Sequence, residues 1–300
     1  MFTVIFTAAK FQLTIMKIKN LFKKNNAPTD LKQVKVGQYT LWANAQHPIQ
    51  SYLETHKYYS RNLPRLAKYI EEKYSSYSII DVGSNIGDSV ALIRSADVKQ
   101  PIFCFEGEHE YYKLLQTNLQ QFNNVTAYEA FLGENNETKS GATEVSDGTA
   151  KLNLKAGSEI EVKSLTDLAI ANNINNIKLL KIDTDGFDFK ILRGAITLIE
   201  KNKTILFFEY DAAYLEEQGE NGVTMFKILN KSGYNKLLFY DNFGKLLINL
   251  TTIDTDQITL LYNYMRKKEG AFPYYDVIAF HCEDDDLADK VIAAEVDFFK

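Results

Sequence analysis

Four acidic positions stand where apolar, β-branched runs end, and that is where side-chain chemistry collects in α/β proteins. Asp81 closes Ser78–Asp81 and leads into V-G-S-N-I-G-D. Glu106 closes Ile102–Phe105. Asp183 ends Ile177–Ile182, with Asp185 two residues later in D-T-D-G-F-D. Glu209 follows Thr204–Phe208. A carboxylate at the end of a parallel strand can accept hydrogen bonds from ribose or substrate hydroxyls, take up a proton, or bind a hard cation through oxygen.

The first of these acids opens a turn carrying Gly83 and Gly87, with Ser84, Asn85 and Asp88 around them. Strand, glycine turn and helix N-terminus together present backbone N–H groups and the positive end of a helix dipole to a ligand. A dinucleotide fold wants G-x-G-x-x-G. The spacing here is D-x-G-x-x-x-G, and an acid at that place suits the ammonium and sulfonium of S-adenosylmethionine better than a pyrophosphate. A strand-to-helix turn with no ligand is the plain alternative for the turn taken alone. Asp81 and Glu106 at successive strand ends favour the cofactor, with Glu106 positioned for the ribose hydroxyls. For Asp183 and Asp185 three uses stay open: general base, ligand of a divalent cation, or helix cap. Asp188 is the natural cap.

The elements that must hold these residues follow from periodicity. Val34–Ala43 alternates around Gly37 and reads as a hairpin, and His47-Pro48 breaks the chain before an aromatic segment, Tyr52 to Tyr59, that could serve as a lid or as packing. Asn62 caps a helix with Leu63, Leu66, Ala67 and Ile70 on one face. Further helices follow Gly87, Glu106 and Gly186, the last running through Leu198. Residues 134–157 form a polar insertion with strand pieces at Ala150–Leu154 and Ile160–Leu165. Loops of such length tend to be functional. Lys236–Tyr240 and Lys245–Leu250 flank a turn; a helix from Asp254 ends at Gly270; Asp276–His281 is a last strand before a short C-terminal helix. Three segments result: residues 1–61 as leader and lid-like extension, 62–283 as the main domain, 284–300 as the terminal helix.

Composition narrows the partners. At 300 residues, 45% hydrophobic with net charge −5, the chain can bury a large core and has no general attraction for nucleic acid. Two cysteines without a C-x-x-C pattern place it in a reducing, cytoplasmic setting with no zinc site. Phe2–Ile15 is too short to span a bilayer, and the basic stretch Met16–Lys24 could at most touch an anionic membrane surface before the linker Asn25–Asp30.

With these residues read, I-I-D-V-G-S-N-I-G-D, F-C-F-E-G-E, A-F-L-G-E and above all L-L-K-I-D-T-D-G-F-D-F-K-I-L-R-G-A resemble the FkbM family of S-adenosylmethionine-dependent methyltransferases, over roughly residues 62–281. The resemblance implies an α/β, class I methyltransferase (Rossmann-like) fold, doubly wound around a mostly parallel seven-stranded sheet with an antiparallel edge strand. It implies O-methylation of a hydroxyl, commonly on a sugar of a polysaccharide, glycolipid or natural product. By position, Asp81, Gly83, Asn85 and Gly87, with Ser84 and Asp88, would hold the methionine part, Glu106 the ribose, and Phe131 would border the adenine. Asp183 would be the base and Glu209 the reserve. A magnesium ion on Asp183 and Asp185 is the related option. Gly107 stands where the family usually has Pro, and Asp185 where Glu is usual; a non-catalytic module of the same fold is the alternative that the second departure would support.

Overall fold

The computed structural model describes residues 31–146, 148–266 and 274–300. The leader, its linker and the helix stop at Gly270 lie outside the described residues. Strands β1 (Leu31–Val36) and β2 (Tyr39–Asn44) form the expected hairpin, followed by helices α1 (Ile49–Thr55) and α2 (Asn62–Lys73). Asn62 is the first helical residue rather than the residue before it. Its amide accepts from Leu63 N (3.0 Å) and donates to Asp276 Oδ2 (2.8 Å).

Next come β3 (Ser78–Val82), α3 (Asp88–Ser95), β4 (Ile102–Glu106), α4 (His109–Leu119) and β5 (Val125–Glu129), a doubly wound half. The insertion is a long antiparallel hairpin of β7 (Glu137–Ser146) and β8 (Thr149–Ser164), with short β6 (Phe131–Gly133) parallel to β8. Leu165 does not end that strand. Ser164 accepts a hydrogen bond from Asp167 N and so caps α5 (Leu165–Ala171), a helix too short to announce itself by periodicity.

The second half holds β9 (Ile177–Ile182), α6 (Asp188–Gly194), α7 (Ile196–Asn202), β10 (Ile205–Tyr210), α8 (Ala212–Glu217), α9 (Thr224–Lys231), β11 (Tyr234–Asp241), β12 (Leu246–Leu250), α10 (Thr255–Arg266), β13 (Tyr275–His281) and α11 (Asp285–Phe298). The single helix expected after Gly186 is two, divided at Ala195. A Cβ on Gly194 would stand 2.3 Å from the Gly133 carbonyl oxygen, so that helix end sits hard against β6.

The main sheet runs β12-β11-β13-β10-β9-β3-β4-β5, eight strands instead of seven. The extra strand is β12, the second arm of the Lys236–Leu250 hairpin. It is an antiparallel edge, as expected, but β13 is also antiparallel and lies between β10 and β11. Both faces of the parallel strands are covered, so β3 and β9 are buried at every residue. Leu63, Leu66, Ile70, Ile93 and Leu115 pack on one face together with Leu287, Ala288 and Val291 of α11, so the terminal helix is part of that layer. Phe189, Leu192, Leu215 and Phe226 fill the other. A third cluster seats the β1–β2 hairpin on α3 and α4 through Val34, Leu41, Leu92 and Tyr111.

Strand order reverses between β3 and β9. The chain winds one way through β3, β4 and β5 and the other through β9 and β10. A crevice opens beyond the carboxyl ends of strands at such a reversal. There the two acid-bearing turns meet.

Candidate active site

Gly83 has φ +71°, and a Cβ there would lie 1.9 Å from the Asp183 carbonyl oxygen. Only glycine allows the two turns to touch. Asn85 (φ +45°) bends the turn further, and Gly87 (φ +87°) sets the entry of α3. Glu106 binds this loop to the next. Its Oε2 accepts from Asn85 N (2.8 Å) and its Oε1 from Glu108 N (2.9 Å). Burial pushes the Glu106 carboxyl up to about 7, even though these N–H donors favour its charge. Phe131 lies over Gly107, where a Cβ would stand 2.3 Å from the ring. The glycine that departs from the family pattern is what lets the ring settle there.

Beneath the turns lies Lys181, next to the last residue of a strand buried at every position. Its Nζ is 3.2 Å from Asp81 Oδ1 and 3.3 Å from Asp183 Oδ2, and it donates to the Gly83 carbonyl oxygen at 3.2 Å. Burial opposes the charge. Asp81, Asp183 and Asp88 more than offset that and hold the ammonium above the ordinary lysine range. Asp81 is wholly buried, and neither of its carboxylate oxygens has a hydrogen-bond partner, so its compensation is the ion pair to Lys181. The lysine was not singled out from the sequence. Its signal was there, since a lysine within a continuous apolar strand must find a partner.

These parts border a cleft of about 410 Å³, within the range of small-molecule sites. Gly83, Asn85, Asp88, Glu106 and Phe131 line it, and so do Asp183, Asp185 and Glu209. Asp81, Ser84 and Gly87 do not. They lie behind the turn and shape it: the Ser84 hydroxyl donates to the Asp81 carbonyl oxygen (2.7 Å), and Asp81 pairs with Lys181. Glu209 lies within β10, opposite Asp276 of β13. Burial, reinforced by Asp183, Asp188 and Asp185, pushes its carboxyl well above the usual range. Asp188 does not cap α6 from outside. It is the first residue of α6, and its Oδ2 accepts from Thr184 Oγ1 (3.1 Å) and Gly186 N (3.3 Å), fixing the turn that carries Asp183 and Asp185.

Of the further lining elements, His47, Tyr214 and Tyr274 escaped the sequence reading as site components, whereas the 134–157 insertion was expected on the substrate side. His47 Nδ1 accepts from Ile49 N (3.3 Å), which leaves Nε2–H facing Asn85 Oδ1 at 3.2 Å; burial lowers the pKa of this imidazole. Asn85 Nδ2 donates to the Gly148 carbonyl oxygen (2.8 Å). The α1 segment and the tip of the β7–β8 hairpin thus meet on one residue of the glycine turn. Tyr214 and Tyr274 complete the wall near Glu209.

The magnesium expectation on Asp183 and Asp185 finds no support. No group of three or more His, Cys, Asp or Glu able to hold a metal occurs among the described residues, and Lys181 already occupies the approach to Asp183 Oδ2. Among the described residues, no helix is long and apolar enough to cross a membrane.

The family model described as "Methyltransferase FkbM domain" matches residues 81–236, over half of the chain. The chain belongs to the FkbM methyltransferases. It is therefore an S-adenosylmethionine-dependent methyltransferase, and the matched span begins at Asp81 and includes Lys181 and Glu209. Its fold is the Rossmann-like, class I arrangement. No curated protein matches it by sequence. Among solved structures, a methyltransferase FkbM from Methylobacillus flagellatus KT aligns at 17% identity and TM-score 0.40, over 68% of this chain and 44% of that one. This chain thus spans less than half of that relative's length. A TehB-like SAM-dependent methyltransferase from Corynebacterium glutamicum aligns at 8% identity and TM-score 0.37, covering 74% and 88%. A Methanococcus jannaschii fibrillarin pre-rRNA processing protein aligns at 10% and 0.41, covering 86% and 85%.

The cleft fits the cofactor. A glycine turn without Cβ obstruction, a buried carboxylate with lone pairs beyond its two N–H bonds, and an aromatic ring laid against a glycine form a nucleoside-shaped cradle.

Proposed function

We propose that this FkbM methyltransferase methylates a hydroxyl group of a sugar-like small molecule. The supporting observation is that the half-exposed Asp183 carboxylate opens on the same cleft as Glu106 and is held by Lys181 at 3.3 Å. A proton acceptor is thereby fixed beside the cofactor cradle.

Bound S-adenosylmethionine supplies a methyl group already activated by its sulfonium. The protein then contributes placement and proton acceptance. Glu106 would accept from the ribose hydroxyls through the lone pairs its two N–H bonds leave. The Phe131 ring would border the adenine, and the Gly83–Asp88 turn would hold the methionine part. Asp183 receives the proton of the acceptor hydroxyl, with Glu209 as the second acceptor on the next strand. Tyr52 and Tyr59, on the segment after His47-Pro48, line the same cleft.

The test is transfer of a labelled methyl group from S-adenosylmethionine to a panel of small hydroxylated acceptors, followed by identification of the methylated atom. A product methylated on nitrogen or carbon refutes the hydroxyl reading, and transfer to a macromolecule alone refutes the small-molecule one.

A further inference from the structure

With the Gly83–Asp88 turn holding the methionine part and Asp183 receiving the proton, a residue that recognises the transferred methyl group must stand between them. Among the described residues, five tyrosines line the cleft: Tyr52, Tyr59, Tyr111, Tyr214 and Tyr274. Asp88 of the glycine turn and Asp183 both act on the Tyr59 hydroxyl. The acids that act on Tyr274 are Glu209, Asp276 and Asp183, and those that act on Tyr214 are Asp185, Asp211, Glu209 and Glu217. Tyr59 is thus the phenol at the junction of the two turns, whereas Tyr214 and Tyr274 belong to the wall near Glu209.

A second observation is what that hydroxyl lacks. Burial, with Asp88, Asp183 and Asp276, raises the phenol above its ordinary range, so it keeps its proton. Among the described residues it has no hydrogen-bond partner. A tyrosine hydroxyl taken out of water ordinarily finds one, and this oxygen keeps its lone pairs free. The ring is held nonetheless. It lies 5.2 Å from the Tyr52 ring and packs against the cluster that seats the β1–β2 hairpin. The segment carrying it is clamped by the turn between β11 and β12. There His56 stacks on Phe243 at 3.9 Å, and a Cβ on Gly244 would stand 2.1 Å from the Tyr58 carbonyl oxygen. A fixed ring with an uncommitted hydroxyl at this junction suits a ligand atom rather than the fold.

We infer that Tyr59 recognises the methyl-bearing end of the cofactor, its phenol oxygen accepting from the C–H groups polarised by the sulfonium. This rests on the cofactor reading of the same cleft. Tyr59 precedes the span 81–236, so the segment after His47-Pro48 becomes part of the transfer site. A C–H···O contact is weak in itself and gains when the donor carbon is bonded to a cationic centre. S-adenosylhomocysteine has neither the charge nor the methyl group, so the contact favours the methyl donor over the product.

Calorimetry on the full chain, Tyr59→Phe against wild type, tests it with three ligands that differ at that one place: S-adenosylmethionine, its amine analogue sinefungin, and S-adenosylhomocysteine. Phenylalanine keeps the ring and removes only the oxygen. Sinefungin carries a protonated amine in place of the methyl sulfonium, and its affinity should fall at least about tenfold, as for a lost hydrogen bond to a charged group. S-adenosylmethionine should lose about two- to fivefold, and S-adenosylhomocysteine nothing. Tyr274→Phe, in the wall near Glu209, should leave all three affinities unchanged. An equal loss for all three ligands, which a purely structural role would give, no loss for the two cationic ones, or the same graded loss in Tyr274→Phe overturns the inference while leaving the cofactor cleft intact. Failure of the wild type to bind S-adenosylhomocysteine overturns both.

Discussion

Glu106→Gln separates stability from ligand binding at this site. In the folded protein, burial raises the carboxyl from its ordinary 4.5 to about 7. A raised carboxyl contributes relative stability below its unfolded pKa and loses it as pH rises through the folded one. Between pH 4.5 and 7 the native state therefore becomes less stable, at about 1.4 kcal/mol per pH unit. Integrated from pH 5 to pH 8, the loss is about 2.5 kcal/mol. Glutamine has no charge to desolvate and does not lose this amount. It also presents an amide N–H₂ to one of the two backbone donors and accepts less strongly from a ribose. Urea denaturation at pH 5 and pH 8 should show the stability difference between variant and wild type moving by about 2.5 kcal/mol in the variant's favour. S-adenosylhomocysteine affinity should fall ten- to a hundredfold, the ~1.5–3 kcal/mol of hydrogen bonds to a charged acceptor. A pH-independent difference, or one that moves toward the wild type at high pH, would show that burial does not dominate the Glu106 carboxyl. Unchanged affinity would remove Glu106 from the cofactor site.

Other perturbations probe neighbouring links. Lys181→Met leaves the wholly buried Asp81 without its cation and should cost ~3–5 kcal/mol in urea melts, whereas adding Asp81→Asn should recover most of it; a double variant as unstable as the single would refute the pairing. Gly107→Ala puts a methyl 2.3 Å from the Phe131 ring and should weaken S-adenosylhomocysteine binding by calorimetry, with ~1–3 kcal/mol lost from the fold. Asn85→Ala removes the bonds to both His47 and Gly148. Amide exchange at the tip of the β7–β8 hairpin and in α1 should then speed up together; faster exchange in one segment alone would show that they are not joined through this residue.

Much of this site can be read along the chain because its key acids each lie at or beside the end of a strand, and strand ends in a parallel sheet converge. The run I-I-D-V-G-S-N-I-G-D declares strand, turn and helix in ten residues, and K-I-D-T-D-G does nearly the same. What joins them is less legible. That Lys181 pairs with Asp81 depends on β3 and β9 being neighbours in register, and the 94 residues between the two strands do not announce it. The meeting of His47 and Gly148 on Asn85 is likewise a product of two separate excursions folding over one mouth. Short helices such as α5 and α8 went unread because one or two turns hold too few apolar residues to establish a period. The eighth strand was visible as a hairpin arm, but its membership of the main sheet depends on β11 pairing with β13.

The same pairing explains why so much negative charge can persist at one sheet edge. Asp81 lies opposite Lys181 in the β3–β9 register, so the ion pair forms beneath the turns, in the low dielectric where it is strongest. It holds Gly83 through its carbonyl oxygen and Asp183 through its carboxylate, and so fixes the glycine turn against the Asp183 turn with one side chain. Moving the lysine one residue along β9 would turn it to the other face of the sheet and strand Asp81 in the interior. The position of this cation, more than the identity of any acid around it, turns two separate sequence motifs into one site.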